Sequence, residues 1–216
     1  MQTGELNGYH YIYKPGQEPS SKILLLLHGT GGSELDLLGF AEAVDSSAGV
    51  ISLRGNVSES GHARFFRRLA EGVFDEEDVA RRSGDIAAFV RLAKEKHGFG
   101  DAEIIAVGFS NGANVASAVL ALHPGTLDGA ILMRAMVTVR SPGIRAADLT
   151  GAAGPKVLLL SGKEDSLVPK ENAIELGSIL SELSSRPIAH VWLDAGHGLT
   201  GEDLAQAKEW LTLNFK

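Results

Sequence analysis

The 216-residue chain contains no cysteine, and this absence excludes several kinds of site at once. Without thiols there is no disulfide scaffold, thiolate metal site, iron–sulfur cluster or cysteine nucleophile. Long apolar runs are also lacking, because the longest strongly apolar run, residues 23–27, is far shorter than the ~20 residues that cross a bilayer. The N-terminus has neither a basic nor an apolar segment, so no signal peptide is predicted and a soluble, cytoplasmic protein is expected.

Positive charge is scarce as well. The chain has 20 Lys and Arg against 27 Asp and Glu, a formal net charge of −7, whereas a general nucleic-acid binder needs a positive surface. Hydrophobic residues make up 44 % of the chain, which is enough for a large core. Since no linker or repeat is visible, we expect a single globular domain over residues 1–216 with no nucleic-acid partner.

Short apolar runs alternate with segments of helical periodicity along the chain. About seven strands are predicted, at residues 9–13, 22–27, 50–53, 103–107, 129–133, 156–160 and 188–193. The first is rich in tyrosine and is predicted to be an edge strand, through which a homodimer could form. Strands that alternate with helices favour an α/β fold with a mostly parallel sheet covered on both faces.

Helical periodicity predicts five helices, and capping residues mark the starts of some of them. Their first residues are predicted near Ser33, Asp75, Asn111, Pro169 and Thr200. Two segments, residues 54–74 and 134–154, do not fit the alternation and follow the carboxyl ends of strands. Ligands bind at these ends in open parallel sheets, so both segments are predicted to form walls of a site.

Residues 108–112 form a G-x-S-x-G motif between a predicted strand and a predicted helix. The pentapeptide alone is weak in a chain with 26 Gly, but the motif needs this strand–turn–helix context. A sharp turn would hold Ser110 in a strained conformation with its hydroxyl exposed, while Gly108 and Gly112 avoid collisions. We predict that Ser110 is a nucleophile. The alternative is a glycine-rich turn with a serine N-cap.

A glycine-rich loop, residues 28–32, follows the apolar strand at 22–27. Acyl transfer needs two N–H donors for its oxyanion, and we assign these to the backbone N–H groups of Thr30 and Asn111. His28 could act as a base, although we favour the interpretation that it supports the loop through hydrogen bonds. A nucleotide P-loop is disfavoured because its Gly-Lys-Ser/Thr ending is missing.

Two further strand ends carry an acid and a base. Asp165, with Glu164 as its nearest alternative, follows the strand at 156–160, and His197 lies between two glycines after the strand at 188–193. A turn residue and a solvated loop histidine are the alternative interpretations. The chain order Ser110, Asp165, His197 is typical of α/β-hydrolases and differs from the orders in chymotrypsin-like and subtilisin-like enzymes.

Residues 24–32, 108–114, 162–169 and 195–199 carry a resemblance to a known family. The chain resembles α/β-hydrolases of the small carboxylesterase/phospholipase branch, near dienelactone-hydrolase-like and acyl-protein-thioesterase-like serine hydrolases. The resemblance implies hydrolysis of small carboxylic esters through an acyl-enzyme, without metal or cofactor. Thioesterase and lysophospholipase activities would use the same groups, and a hydrolase-fold binding or sensor protein with little turnover is a further alternative.

Two departures from this family bear on the expected site. Dienelactone hydrolases place cysteine where Ser110 stands, and larger members insert a lid for which residues 134–154 are too short, so an open site is expected. Residues 65–66 together with 74–78 also carry a resemblance to a bacterial subset that bears a dioxygenase label, but no His/His/Glu metal cluster is apparent in the sequence.

Substrate choice is only weakly encoded. An apolar acyl pocket is predicted from Phe65, Phe66, Met136, Leu167 and Val168, with core packing as the alternative. A basic cluster, Arg64, Arg67 and Arg68, could recognise a carboxylate or phosphate, although a solvated or salt-bridged surface is the favoured interpretation.

Overall fold

The fold is an α/β sandwich around an eight-stranded sheet, in a computed structural model that describes residues 1–17, 22–140, 154–184 and 187–215. The strands are β1 (Gln2–Leu6), β2 (Tyr9–Lys14), β3 (Lys22–Leu27), β4 (Gly49–Leu53), β5 (Val57–Glu59), β6 (His62–Arg64), β7 (Arg68–Ala70), β8 (Val73–Phe74), β9 (Glu103–Phe109), β10 (Gly129–Met133), β11 (Lys156–Gly162) and β12 (Ala189–Leu193). The helices are α1 (Leu38–Val44), α2 (Glu76–His97), α3 (Asn111–Leu122), α4 (Lys170–Leu183) and α5 (Gly201–Asn214).

The main sheet is mostly parallel, which confirms the predicted class. Its strand order is β1-β2-β4-β3-β9-β10-β11-β12. Every neighbouring pair from β4 to β12 is parallel, whereas β1–β2 and β2–β4 are antiparallel. The carboxyl ends of β3, β9, β10, β11 and β12 therefore meet at one edge of the sheet.

The prediction that residues 9–13 form an edge strand is wrong. The N-terminal strand β1 pairs antiparallel with β2 and covers it. Asn7 and Gly8 connect the two strands, both at positive φ (49° and 76°), which is the conformation of a tight hairpin turn. The hypothesis of a homodimer through β2 loses its basis, because that strand has neighbours on both sides.

Four of the five predicted helices begin within one residue of the predicted position. The Asp75 side chain accepts a hydrogen bond from the Asp78 N–H at the start of α2, and Thr200 opens α5 with a capping box. The first helix is the exception, because α1 begins at Leu38 and Ser33 does not cap it. The Ser33 hydroxyl instead bonds within a turn, where it donates to Asp36 and accepts from the Leu35 N–H.

Helices cover both faces of the sheet and bury two apolar clusters. On one face α2, α3 and α4 pack together over residues such as Leu25, Ile104 and Leu132. On the other face α1 and α5 pack over Leu24 and Val107. Successive side chains of β3 therefore enter opposite clusters, as expected for a strand buried on both faces.

The two segments outside the alternation differ in what the structure describes. Residues 54–74 form the hairpins β5–β6 and β7–β8 above the carboxyl edge of the sheet. Of the second segment, residues 134–140 and 154 are described, and 141–153 lie outside the described residues. Within the described ranges, none of the helices combines the length and the apolar character needed to cross a membrane.

Four packed histidines make stability depend on pH. Burial lowers the pKa of His28, His97, His123 and His190 below the ordinary 6.5, so the folded state favours the neutral rings. Protons then bind the unfolded chain first, and the stability present above about pH 6.5 is lost as the pH falls. We expect the free energy of unfolding from urea titrations to decrease from pH 7 to pH 5. His190→Gln should weaken this dependence, and a flat profile in the wild type would contradict the prediction.

Candidate active site

The strand–turn–helix at residues 108–112 holds Ser110 in a strained conformation. Its φ is 50° and its ψ is −113°, and its N–H donates to the carbonyl oxygen of Met133 at 2.8 Å. A Cβ at Gly112 would overlap the carbonyl of Leu27, and one at Gly108 would lie 2.6 Å from the Ala113 Cα. Both glycines of the motif are thus required by close backbone approach, and they let the turn present the Ser110 side chain at the sheet edge.

Three side chains that are distant in sequence form one hydrogen-bonded chain at this edge. His197 Nε2 lies 3.0 Å from Ser110 Oγ, and His197 Nδ1 lies 2.9 Å from Asp165 Oδ2. The Asp165 side chain is 1 % exposed and the His197 side chain 23 %. A carboxylate accepts hydrogen bonds, so its proximity favours the proton on Nδ1 and leaves Nε2 free to accept from the serine hydroxyl.

Further hydrogen bonds fix the Asp165 carboxylate, whereas the neighbouring acidic residues are exposed or paired elsewhere. Asp165 Oδ1 also accepts hydrogen bonds from the N–H groups of Leu167 and Val168, which hold its carboxylate in place. Glu164, the alternative considered above, is exposed, and Asp194 forms an ion pair with Lys163 at 2.6 Å. Across the described residues, no group of three or more His, Asp or Glu side chains could hold a metal ion.

Thr30 and Asn111 lie beside Ser110 in the wall of one cavity. Asn111 is the first residue of α3, where backbone N–H groups lack intrahelical acceptors. Neither of the two backbone N–H groups has an acceptor among the residues that the structure describes. The Asn111 side chain is held in turn, since its Oδ1 accepts from the Phe65 N–H at 2.8 Å. Two free donors and a helix N-terminus suit an anion at this position.

His28 is buried and both of its ring nitrogens are occupied. Nε2 accepts from the Gly55 N–H at 2.9 Å, so the proton is on Nδ1, which lies 2.6 Å from the carbonyl oxygen of Gly29. Burial lowers the pKa of His28, which agrees with a neutral ring. This geometry ties the loop of Gly29 to the loop of Gly55 and leaves no free nitrogen for a base.

The cavity at this edge measures about 260 Å³. Met136, Leu167 and Val168 line it, together with Ser110 and His197. Apolar side chains therefore stand within reach of the serine hydroxyl, and they could receive an apolar part of a bound molecule.

Phe65 and Phe66 correct the expected lining. Both are fully buried and belong to the core cluster, and neither lines the cavity. The Phe65 ring packs against His28 with centroids 4.9 Å apart, and the Phe66 ring packs edge-on against Phe74 at 5.3 Å. For this pair the core-packing alternative is the correct one, because both rings are enclosed by core side chains and neither reaches the cavity wall.

The three clustered arginines divide into two groups. Arg67 lies away from the cavity, where it pairs with Asp75 at 2.7 Å and its N–H donates to Asp78. Arg64 and Arg68 both line the cavity and share one carboxylate, that of Glu59. Arg64 Nη1 also donates to Thr30 Oγ1 at 2.5 Å, which connects this pair to the loop beside Ser110.

Sequence reasoning missed Arg134, which holds the loop around His197. It is 1 % exposed and has φ 56° directly after β10. Its guanidinium bonds both oxygens of the buried Asp203 at 2.7 and 2.9 Å, and it donates to the carbonyl oxygens of Gly196 and Gly198 at 2.8 and 3.0 Å. Arg134 thus bonds the backbone on both sides of His197. No motif announces this contact, and a charged residue at a strand end was the only available signal.

Known proteins resemble nearly the whole chain, although no protein-family model matches it. MhqD of Bacillus subtilis (strain 168), which is named as a hydrolase, is 44 % identical over 200 residues, 93 % of this chain and 96 % of that protein. The Bacillus cereus carboxylesterase structure is 41 % identical with a TM-score of 0.89 and covers 96 % of this chain and 95 % of that one. YahD, solved with malic acid, is 30 % identical with a TM-score of 0.80, covering 95 % and 98 %.

Proposed function

This chain belongs to the α/β-hydrolase superfamily as an esterase-type hydrolase, and we propose that it cleaves carboxylic esters with a Ser110–His197–Asp165 triad. The observation that carries the proposal is the unbroken hydrogen-bonded chain from Ser110 Oγ through both nitrogens of His197 to Asp165. A serine hydroxyl is a weak nucleophile by itself, and an adjacent base within hydrogen-bond distance activates it.

In the first half-reaction, His197 Nε2 takes the hydroxyl proton as Ser110 Oγ attacks the ester carbonyl. Asp165 accepts from Nδ1 and stabilises the imidazolium that forms. The backbone N–H groups of Thr30 and Asn111 hold the oxyanion, and the first turn of α3 adds a favourable dipole. The leaving alcohol then takes the proton from His197, and an acyl-enzyme on Ser110 remains.

Water completes the cycle by the same route. His197 removes a proton from the water molecule, which attacks the acyl carbonyl, and Ser110 leaves as the protonated hydroxyl. The serine proton leaves with the alcohol and a proton from water replaces it, so Ser110, His197 and Asp165 end the cycle in their starting protonation states. Thioesters and lysophospholipids would react through the same groups, and a panel of esters and thioesters with graded acyl length would distinguish these substrates.

Covalent labelling tests the proposed nucleophile. A fluorophosphonate should modify the wild type at Ser110, as mapped by mass spectrometry of the peptide that contains residues 108–112. We expect rapid hydrolysis of p-nitrophenyl butyrate by the unlabelled protein and its loss in step with labelling. Ser58, an exposed serine on β5, provides the matched control, because Ser58→Ala should keep both properties.

Two outcomes would contradict the proposal. A folded protein that resists the fluorophosphonate would favour a hydrolase-fold binding or sensor protein, whose serine is not activated. Labelling at another serine, with unchanged hydrolysis after Ser110→Ala, would assign the nucleophile elsewhere.

A further inference from the structure

We infer that Arg64 and Arg68 form a carboxylate-binding subsite beside Ser110, so that the preferred esters carry a carboxylate on the acyl or the alcohol part. The inference rests on the proposed function, since it names the class of substrate that the same cavity would accept. It is carried by three features of the two guanidinium groups: their position, their free donors and their surplus charge.

Both arginines stand in the wall of the cavity that contains Ser110 and His197. The Arg64 side chain is 3 % exposed and that of Arg68 33 %. Internal hydrogen bonds hold both side chains in place: Arg64 Nε donates to the carbonyl oxygen of Phe66, and Arg68 Nε donates to Glu59 at 2.8 Å. The two groups are therefore oriented before any substrate arrives, which reduces the entropy cost of binding.

Donors remain available after these internal contacts. Arg64 uses Nε and Nη1, and Arg68 uses Nε, so Nη2 of Arg64 and both terminal nitrogens of Arg68 have no acceptor in the part of the chain that the structure describes. A planar guanidinium matches the spacing of a carboxylate, and charge-assisted hydrogen bonds of this kind are stronger than neutral ones.

The charge balance also favours an anion. Two guanidinium groups share the single carboxylate of Glu59, at 3.2 and 2.8 Å, and burial together with the neighbouring Arg68 lowers the pKa of Arg64. An additional anion would relieve this repulsion. Of the other charged groups in the wall, Arg134 is neutralised by Asp203, and Glu71 is exposed at the β7–β8 turn and forms an ion pair with neither arginine in the described structure.

Two matched pairs of esters test the subsite on either side of the scissile bond. Mono-p-nitrophenyl glutarate is compared with p-nitrophenyl pentanoate, and 4-carboxyphenyl pentanoate with phenyl pentanoate. In the wild type we expect kcat/KM for the anionic member of at least one pair to exceed the neutral member by more than about tenfold. Added salt should reduce this preference, because it screens charge.

Variants test whether the preference comes from the arginine pair of the cavity wall. Arg68→Gln should lower the anionic-to-neutral ratio of kcat/KM by about ten- to a hundredfold, whereas Arg67→Gln, which removes an equal charge outside the cavity, should leave the ratio unchanged. A wild-type ratio below ten for both pairs, or an equal fall in Arg67→Gln, would overturn the inference while ester hydrolysis itself persisted. Failure of the proposed function would look different, since no ester would then be hydrolysed and Ser110 would not be labelled.

Discussion

Replacing Ser110 by alanine is expected to lower kcat for ester hydrolysis by about 10⁶-fold, because the proposed nucleophile is lost outright. The fold should survive, since among the described residues the Ser110 side chain bonds only His197, and the strained backbone is held by the Met133 carbonyl and the flanking glycines. The measurement is kcat with p-nitrophenyl butyrate. Near-ultraviolet and far-ultraviolet circular dichroism of each variant check that it is folded.

A double variant sharpens this prediction. His197→Ala alone should cost about as much as Ser110→Ala, and the two together hardly more, because residues that act as one unit lose their effect together. Asp165→Asn should cost about 10⁴-fold, through the wrong tautomer of His197. Additive losses of Ser110→Ala and His197→Ala, or a Ser110→Ala kcat within a hundredfold of wild type, would show that the two side chains do not work as base and nucleophile.

The meeting of Ser110, Asp165 and His197 could be predicted because each lies within four residues of the carboxyl end of a strand. In a parallel sheet the carboxyl ends of neighbouring strands lie at one edge, so residues 32 and 87 positions apart in the chain become hydrogen-bonded partners. The same rule identified residues 54–74 as a wall of the site. It could not resolve which side chains of that wall face the cavity, since Phe65, Phe66 and the arginines follow no period that distinguishes inside from outside.

Other errors had local physical causes. The hairpin of β1 and β2 had a usable signal in Asn7-Gly8, a dipeptide typical of tight hairpin turns. Ser33 has the composition of an N-cap, but its hydroxyl serves a turn that precedes α1. Arg134 offered only the weak signal of a charged residue at a strand end, because its partner Asp203 lies 69 residues away and was already explained by the cap of α5.

Breaking the Arg134–Asp203 pair is expected to lower both the stability of the fold and the rate of hydrolysis. Arg134→Met would leave the Asp203 carboxylate buried without its counter-ion and should lower the free energy of unfolding by about 3–5 kcal/mol. It would also free the carbonyl groups of Gly196 and Gly198, which flank His197. A displacement of the imidazole by about 1 Å would cost roughly 10²-fold in kcat. Urea titration and steady-state kinetics measure the two losses separately.

The double variant Arg134→Met/Asp203→Leu separates stability from positioning. An apolar pair of similar volume removes the unpaired buried charge, so much of the lost stability should return, less about 1 kcal/mol for the capping bonds that Asp203 accepts from Thr200. Turnover should stay low, because the guanidinium no longer bonds the carbonyl groups of Gly196 and Gly198 on either side of His197. If kcat recovered together with stability, the ion pair would serve the fold alone. Arg134→Lys tests the shape of the side chain. If it restored the stability lost in Arg134→Met but not the kcat, the site would require the planar guanidinium, which reaches two carbonyls and a carboxylate at once.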